Sequence, residues 1–255
     1  MIDFTLERYG EILDAALDAG YRTTTVHALF AADRIDEPHV VLRHDVDRRP
    51  TNAVAMATAE ADRDIQATYY FRIIPQTFKP ALIREIAGLG HEIGYHYEDF
   101  HMARYQPARA FDMFRRHVEE LRAIAPISTI AMHGSPLAKF NNMTLWDHHR
   151  YDEADVKDCI LSYDWSDYAF FTDTGRSFGE NRANLRDRIG GQSFPEVTTS
   201  AELAAFLREC RWPKIQLSTH PERWNPPGSV WMLQLGQDLA VNTIKRGLSY
   251  ARRTD

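Results

Sequence analysis

Asp45 and Asp47 stand two residues apart at the end of the apolar run Val40-Val41-Leu42, with Arg43 and His44 between. If extended backbone carries through them, both carboxylates project to one side, where they repel unless a cation or a proton lies between them. A divalent metal answers that need, and histidines able to join it recur downstream. His96 closes Glu92-Ile93-Gly94-Tyr95, His133 closes Thr129-Ile130-Ala131-Met132, and His220 closes Lys214-Ile215-Gln216-Leu217-Ser218-Thr219. A lone Asp-x-Asp is common on solvated strand ends, so the weight rests on the recurrence.

These residues need elements to hold them. Leu6, Tyr9, Ile12, Leu13, Ala16 and Leu17 keep helical spacing, which predicts an opening helix from about Thr5 to Ala19 ended by Gly20. A short helix or turn at Val26 to Phe30 leads into the strand at Val40, and Pro50 suits the first turn of the Ala-rich helix behind it. Ala67 to Ile73 reads as a strand, Pro80 to Leu89 as a helix, Glu92 to Tyr95 as a strand and Pro107 to Ala125 as a longer helix stopped by Pro126. Thr129 to Met132, Tyr168 to Thr172 and Lys214 to Thr219 are further strands. Thr199 and Glu202 have capping-box spacing before a helix at Leu203 to Cys210, and Val230 to Ala251 is an amphipathic closing helix. The segment from Ser135 to Asp167, rich in Asn, Asp, His and Trp, reads as loop with at most short helices or strands, and a polar Gly-rich stretch runs to Gly191.

Alternating strands and helices predict parallel βαβ units, in a barrel or in a doubly wound sheet. Asp45, Asp47, His96, His133, Asp173 and His220 all follow predicted strand ends, which favours the barrel, whose catalytic groups gather on that face. The 255 residues are 44% hydrophobic, enough for a sizeable core in a single domain spanning 1–255. A net charge of -6 argues against a general nucleic-acid binder, and Arg48-Arg49, Arg115-Arg116 and Arg252-Arg253 read as solvated surface. Cys159 and Cys210 lack metal-ligand spacing and read as ordinary thiols of a reducing compartment. No signal peptide or membrane span is legible, so the expectation is a cytoplasmic protein.

Asp45-Val46-Asp47, then Gly90-His91-Glu92-Ile93-Gly94-Tyr95-His96, then Leu217-Ser218-Thr219-His220-Pro221, in that order, resemble the polysaccharide deacetylase family, the NodB-homology carbohydrate esterases. The match runs roughly from Val40 to Pro221. The resemblance implies an irregular, TIM-like (β/α) barrel of parallel strands, with an added N-terminal helix, that binds a divalent metal, usually zinc. It implies hydrolysis of an N-acyl group, acetyl or formyl, on an amino sugar. Residue by residue, Asp45 takes the place of the general base and Asp47 that of a metal ligand. The family's adjacent acids are here split by Val46, so the two roles could be exchanged. His96 takes the place of the first metal histidine, and the second is due four residues later, where Phe100 stands.

His133 is the preferred third ligand, standing where the family carries an arginine-proline motif; His101, Glu98 and Asp99 are the alternatives. His220 matches the general acid, and Leu217 a residue lining the acyl-methyl pocket. Asp173 is suited to orient His220 or to meet a sugar hydroxyl, and Trp165 offers a face for a sugar ring. His91 reads as a turn-packing residue and His148-His149 as a solvated pair. The expected substrate is a small-molecule, lipid-linked or nucleotide-linked carbohydrate, such as a surface-polysaccharide precursor. The rivals are a metal-free carbohydrate-binding protein of the same fold, prompted by Phe100, and a metal-dependent hydrolase of non-sugar amides.

Overall fold

The computed structural model describes residues 2–32, 34–134, 139–179, 191–194 and 196–251. The polar stretch at 180–190, Ser135 and the Arg252-Arg253 pair lie outside the described residues. In chain order the elements are α1 (Leu6–Asp18), β1 (Arg22–Thr24), α2 (Val26–Ala31), β2 (His39–Val46), α3 (Pro50–Ala61), β3 (Thr68–Phe71), α4 (Pro80–Gly88) and β4 (Glu92–Tyr97). There follow α5 (Asp99–Met102), α6 (Pro107–Arg122), β5 (Ile127–Met132), β6 (Lys157–Asp158), β7 (Ala169–Thr172), α7 (Ser200–Arg208), β8 (Lys214–Thr219) and α8 (Ser229–Ala251). The expected elements appear with their ends shifted by a few residues. The three-residue β1 and the one-turn α5 are additions, whereas the two-residue β6 and two 3-10 turns are the short elements expected in the segment from 135 to 167.

Every strand pairing is parallel, and seven strands run in the order β6-β5-β4-β3-β2-β8-β7. β2 is the centre. β8 lies along one of its edges, and the other is shared by β1 at its start and β3 at its end. All eight residues of β2 are buried, which is why Val40-Val41-Leu42 is apolar without alternation and why Arg43, His44 and Asp45 need partners inside the fold.

The sheet is curled into a half-barrel. Four strand spacings separate β2 from β6, about 19 Å in a flat sheet at about 4.8 Å each. Yet Arg43 on β2 reaches Cys159, the residue after β6, with Nη1 3.2 Å from Sγ. Trp165, ahead of β7, likewise donates to the Cys159 carbonyl at 2.8 Å. Among the described residues β6 and β7 do not pair, so the curl is not closed by hydrogen bonds.

The curl divides the core. Outside it Leu42, Val46, Met56, Ile86, Phe114 and Leu217 pack between the sheet and the helices. Inside it Val41, Tyr70, Ala131, Cys159, Trp165 and Tyr168 form a smaller cluster. A buried polar network lies in the outer layer. Glu60 of α3 accepts from Tyr69 at 2.6 Å and from Tyr9, lies 2.8 Å from the His44 Nε2, and His44 Nδ1 meets Thr219 Oγ1 at 2.7 Å. It joins α1, α3 and the ends of β2 and β8 beside the residues carrying the chemistry. His91 is indeed a packing residue, accepting from the Ala67 N–H at 3.1 Å and 2.9 Å from the Ala57 carbonyl.

Leu217 and Trp165 are corrected. Strand alternation turns Leu217 outward into the helix-facing core, so it lines no acyl pocket. Trp165 is buried inside the curl against Tyr163 and Tyr168 and offers no open face to a sugar. Of the loop histidines, His148 is exposed, whereas His149 stacks on Phe111 with ring centroids 4.4 Å apart. The closing helix is inverted in character: Gln234 and Asp238 are buried, while Met232, Leu233 and Leu239 are exposed. No helix among the described residues is long and apolar enough to cross a membrane.

Candidate metal centre and flanking acid and base

β2 ends at Val46, and Asp47 turns away, its N–H donating to the Asp45 carbonyl at 3.0 Å. The two acids therefore do not face one another across a shared cation. Asp45 stays in the curl with Arg43, whose Nη2 donates to its Oδ2 at 2.9 Å while Nε donates to Ser218 Oγ at 3.1 Å. The other oxygen, Asp45 Oδ1, is buried without a partner. Behind Asp47 the chain passes through Arg49, held at φ 51°, ψ 64°, before Pro50 opens α3. A left-handed conformation is strained for a side chain of this kind.

Asp47 meets His96, from β4, and His133, directly after β5. Its Oδ1 lies 2.9 Å from His133 Nδ1 and 3.4 Å from His96 Nε2, and the two nitrogens are 3.3 Å apart. Four-coordinate zinc, bonded at about 2.0–2.1 Å, sets its ligand atoms about 3.3–3.4 Å apart, so the three atoms match one face of such a tetrahedron. The contacts on Asp47 Oδ1 lie within ion-pair distance, but no donor is aligned on it as a hydrogen bond. His96 Nδ1 faces the Ala131 carbonyl at 3.0 Å, which can only accept. That contact assigns the proton to Nδ1 and leaves the Nε2 lone pair toward Asp47 and His133, the usual fixing of a metal-binding histidine. These three residues could hold a divalent ion, and they are the group of that kind found among the described residues.

The electrostatics agree. Burial opposes the charge on Asp47, but the His133 and His96 imidazoles overcome it and hold its carboxyl well below the usual range. Burial likewise pulls His96 down, and Asp45, then Asp47, raise it above its ordinary value.

The alternative third ligands are engaged elsewhere. Glu98 is gripped by Arg72, with Nε and Nη2 each at 2.8 Å, though its Oε2 approaches His133 Nε2 to 4.0 Å. Asp99 is bound by Tyr95 and His117, each at 2.7 Å. His101 is exposed beside the Tyr105 hydroxyl at 3.0 Å. Phe100 is a core residue on the same short helix.

His220, directly after β8, has Nδ1 2.7 Å from Asp173 Oδ1 and donates its backbone N–H to Oδ2 at 2.9 Å. Trp224 Nε1 donates to Oδ2 at 2.8 Å, and Arg223 is paired with Oδ1. Burial and Arg223 lower the His220 pKa, but Asp173 outweighs them and carries it up to about 9. Asp173, opposed by burial but surrounded by Arg223 and His220, is held at about 2. Of the two roles open to Asp173, orienting His220 is the one its contacts fill. Arg43, Arg223 and Glu222 were not singled out from the sequence. The last has a carboxyl raised to about 7, by burial first and by Asp47 second.

No family model matches the chain, and no curated protein matches it. Solved structures do. The wild-type form of a CE4-family pseudoenzyme from Bacillus anthracis aligns at 11% identity and a TM-score of 0.46, over 83% of this chain and 63% of its own. A mutant of that pseudoenzyme with restored enzymatic activity gives 12% and 0.46, over 83% and 65%. Peptidoglycan deacetylase PdaC from Bacillus subtilis, as a mutant, gives 11% and 0.40, over 86% and 98%. The chain thus spans less than two thirds of the pseudoenzyme's length. Likenesses this distant carry no argument about the reaction, which rests on the side chains themselves.

Proposed function

We propose that this protein is a metal-dependent hydrolase that removes an N-acyl group, acetyl or formyl, from an amino-sugar substrate. The observation that carries the reading is the triangle of Asp47 Oδ1, His96 Nε2 and His133 Nδ1, flanked by a free carboxylate oxygen and a protonated imidazole. A divalent ion held by those residues, zinc by the chemistry of the donors, supplies Lewis-acid polarisation of the acyl carbonyl and makes water a better nucleophile.

The chain's own groups do the rest. Asp45 is anchored through Oδ2 by Arg43, which leaves Oδ1 to accept a proton from the attacking water. Its charge acts on His96, so it stands near the centre. His220 presents Nδ1 to Asp173, so Nε2 is the atom that delivers a proton to the departing nitrogen. Asp173 keeps that imidazole charged at neutral pH, and Arg223 and Trp224 keep Asp173 in place.

Metal analysis of purified protein is the first test: one zinc per chain, lost in Asp47→Ala, is expected. Zinc-loaded protein should then release free amine from N-acetylated or N-formylated amino sugars. Asp45→Asn and His220→Ala should each abolish release while retaining zinc. Sugar binding without any divalent ion would instead favour the metal-free carbohydrate binder.

A further inference from the structure

Glu222 is buried to 1% exposure, and neither of its carboxylate oxygens has a hydrogen-bond partner. It sits in the one-turn 3-10 helix Pro221–Arg223, immediately behind His220. Asn52 of α3 pins that turn by donating to the Pro221 carbonyl at 3.1 Å and to Asn225 Oδ1 at 2.9 Å, and Asn225 donates to the Glu222 carbonyl at 2.6 Å. The turn packs against β2 and α3, and Glu222 Oε1 lies 3.8 Å from Nε of Arg48, the residue after Asp47. Asp47 is the charge that acts on it most strongly, against His220, Arg223 and Arg48. The nearest cation, Arg48 Nε, is 3.8 Å from Oε1, beyond hydrogen-bond reach, on a side chain 45% exposed. Glu222 is not among the residues whose donor atoms converge within 4.8 Å.

A buried carboxylate without a donor is raised in energy by a second anion such as Asp47, and a dication near both relieves it. We propose that Glu222 is an outer electrostatic ligand of the centre formed by Asp47, His96 and His133. It touches no metal but strengthens the hold on a divalent ion, and it destabilises the protein when the centre is empty. This rests on reading that centre as a metal site.

The test compares full-length wild type with Glu222→Gln, which keeps shape and removes charge. Each is stripped with a chelator, titrated with zinc against a chromophoric competitor, and melted with and without zinc. Outer residues of metal sites typically contribute 10- to 100-fold in affinity, so the variant should bind zinc at least about tenfold more weakly. Its metal-free form should melt no lower than wild type. Equal zinc affinities would overturn the proposal. So would a metal-free variant that melts lower or does not fold, because Glu222 would then be a structural partner of Arg48. Arg48→Ala is the second check: zinc binding at least as tight as wild type is expected, because a competing cation is removed, and weaker zinc binding would overturn the proposal. A wild type that binds no zinc refutes the metal reading itself, whereas tight binding by wild type and variant alike refutes this step alone.

Discussion

The charged state of His220 depends on one neighbour. Burial and Arg223 both act against the imidazolium, so Asp173→Asn should drop the His220 pKa from about 9 to below its ordinary value. Histidine titration by NMR reads this directly; a His220 that still titrates near 9 in the variant would refute the assignment. The pair is also a stability device. Because Asp173 is held at about 2, its contribution is present above the ordinary carboxylate range and fades as pH falls through about 2. Because His220 is raised, its share is complete below its ordinary value of 6.5 and is lost as pH rises through about 9. These are two views of one ion pair and count once. Asp45, Asp47, His96, His133 and His220 are legible in the sequence because each interrupts or ends an apolar run with a group that has no reason to be there. Arg43 and Glu222 are not, since an arginine inside a strand and a glutamate in a His-Pro-Glu-Arg turn are ordinary surface signals until burial is known.

At the scale of elements, β4 shows how a small residue sets the centre. Gly94 pairs with Tyr70, and a Cβ there would lie 2.4 Å from the Tyr70 ring and 3.0 Å from the Thr129 carbonyl. The ring is packed inside the curl, with its hydroxyl on Thr129 Oγ1 at 3.1 Å, and cannot swing clear. Gly94→Ala should therefore cost about 1–3 kcal/mol by overpacking. Since His96 is two residues on, it should also weaken zinc binding; chemical denaturation and metal titration check the two effects separately. Thr199→Ala is the contrasting case. It removes the capping box at the start of α7, far along the chain from the ligands, and should cost about 1 kcal/mol with zinc affinity unchanged. The long helices and central strands follow from apolar periodicity. The short β1 and β6 do not, because two or three residues become a strand only through the neighbour they pair with. Leu217 was misplaced because its role came from the motif and not from the strand: Lys214-Ile215-Gln216-Leu217-Ser218 alternates, and Ile215 and Leu217 share the side that packs under the helices.

For the whole molecule, the candidate centre gathers three donor side chains at the ends of β2, β4 and β5, which the curl brings together from positions 47, 96 and 133. The order of the strands was not legible, but the common face of their ends was, because parallel strands deliver their C-terminal residues to one side. An ion bound there ties three segments and stabilises the folded chain by mass action. At zinc a hundredfold above its dissociation constant the gain is about 2.7 kcal/mol. For a chain of this length that corresponds to a rise of about 5–10 °C in the melting midpoint. Chelator-stripped protein should show this rise on adding zinc, and Asp47→Ala should not. The gain should also shrink as pH is lowered, because His96, raised by Asp45 and Asp47, must release its proton before Nε2 can bind metal. A midpoint shift equal at pH 8 and pH 5, or equal in Asp47→Ala, would mean that zinc acts elsewhere on the chain.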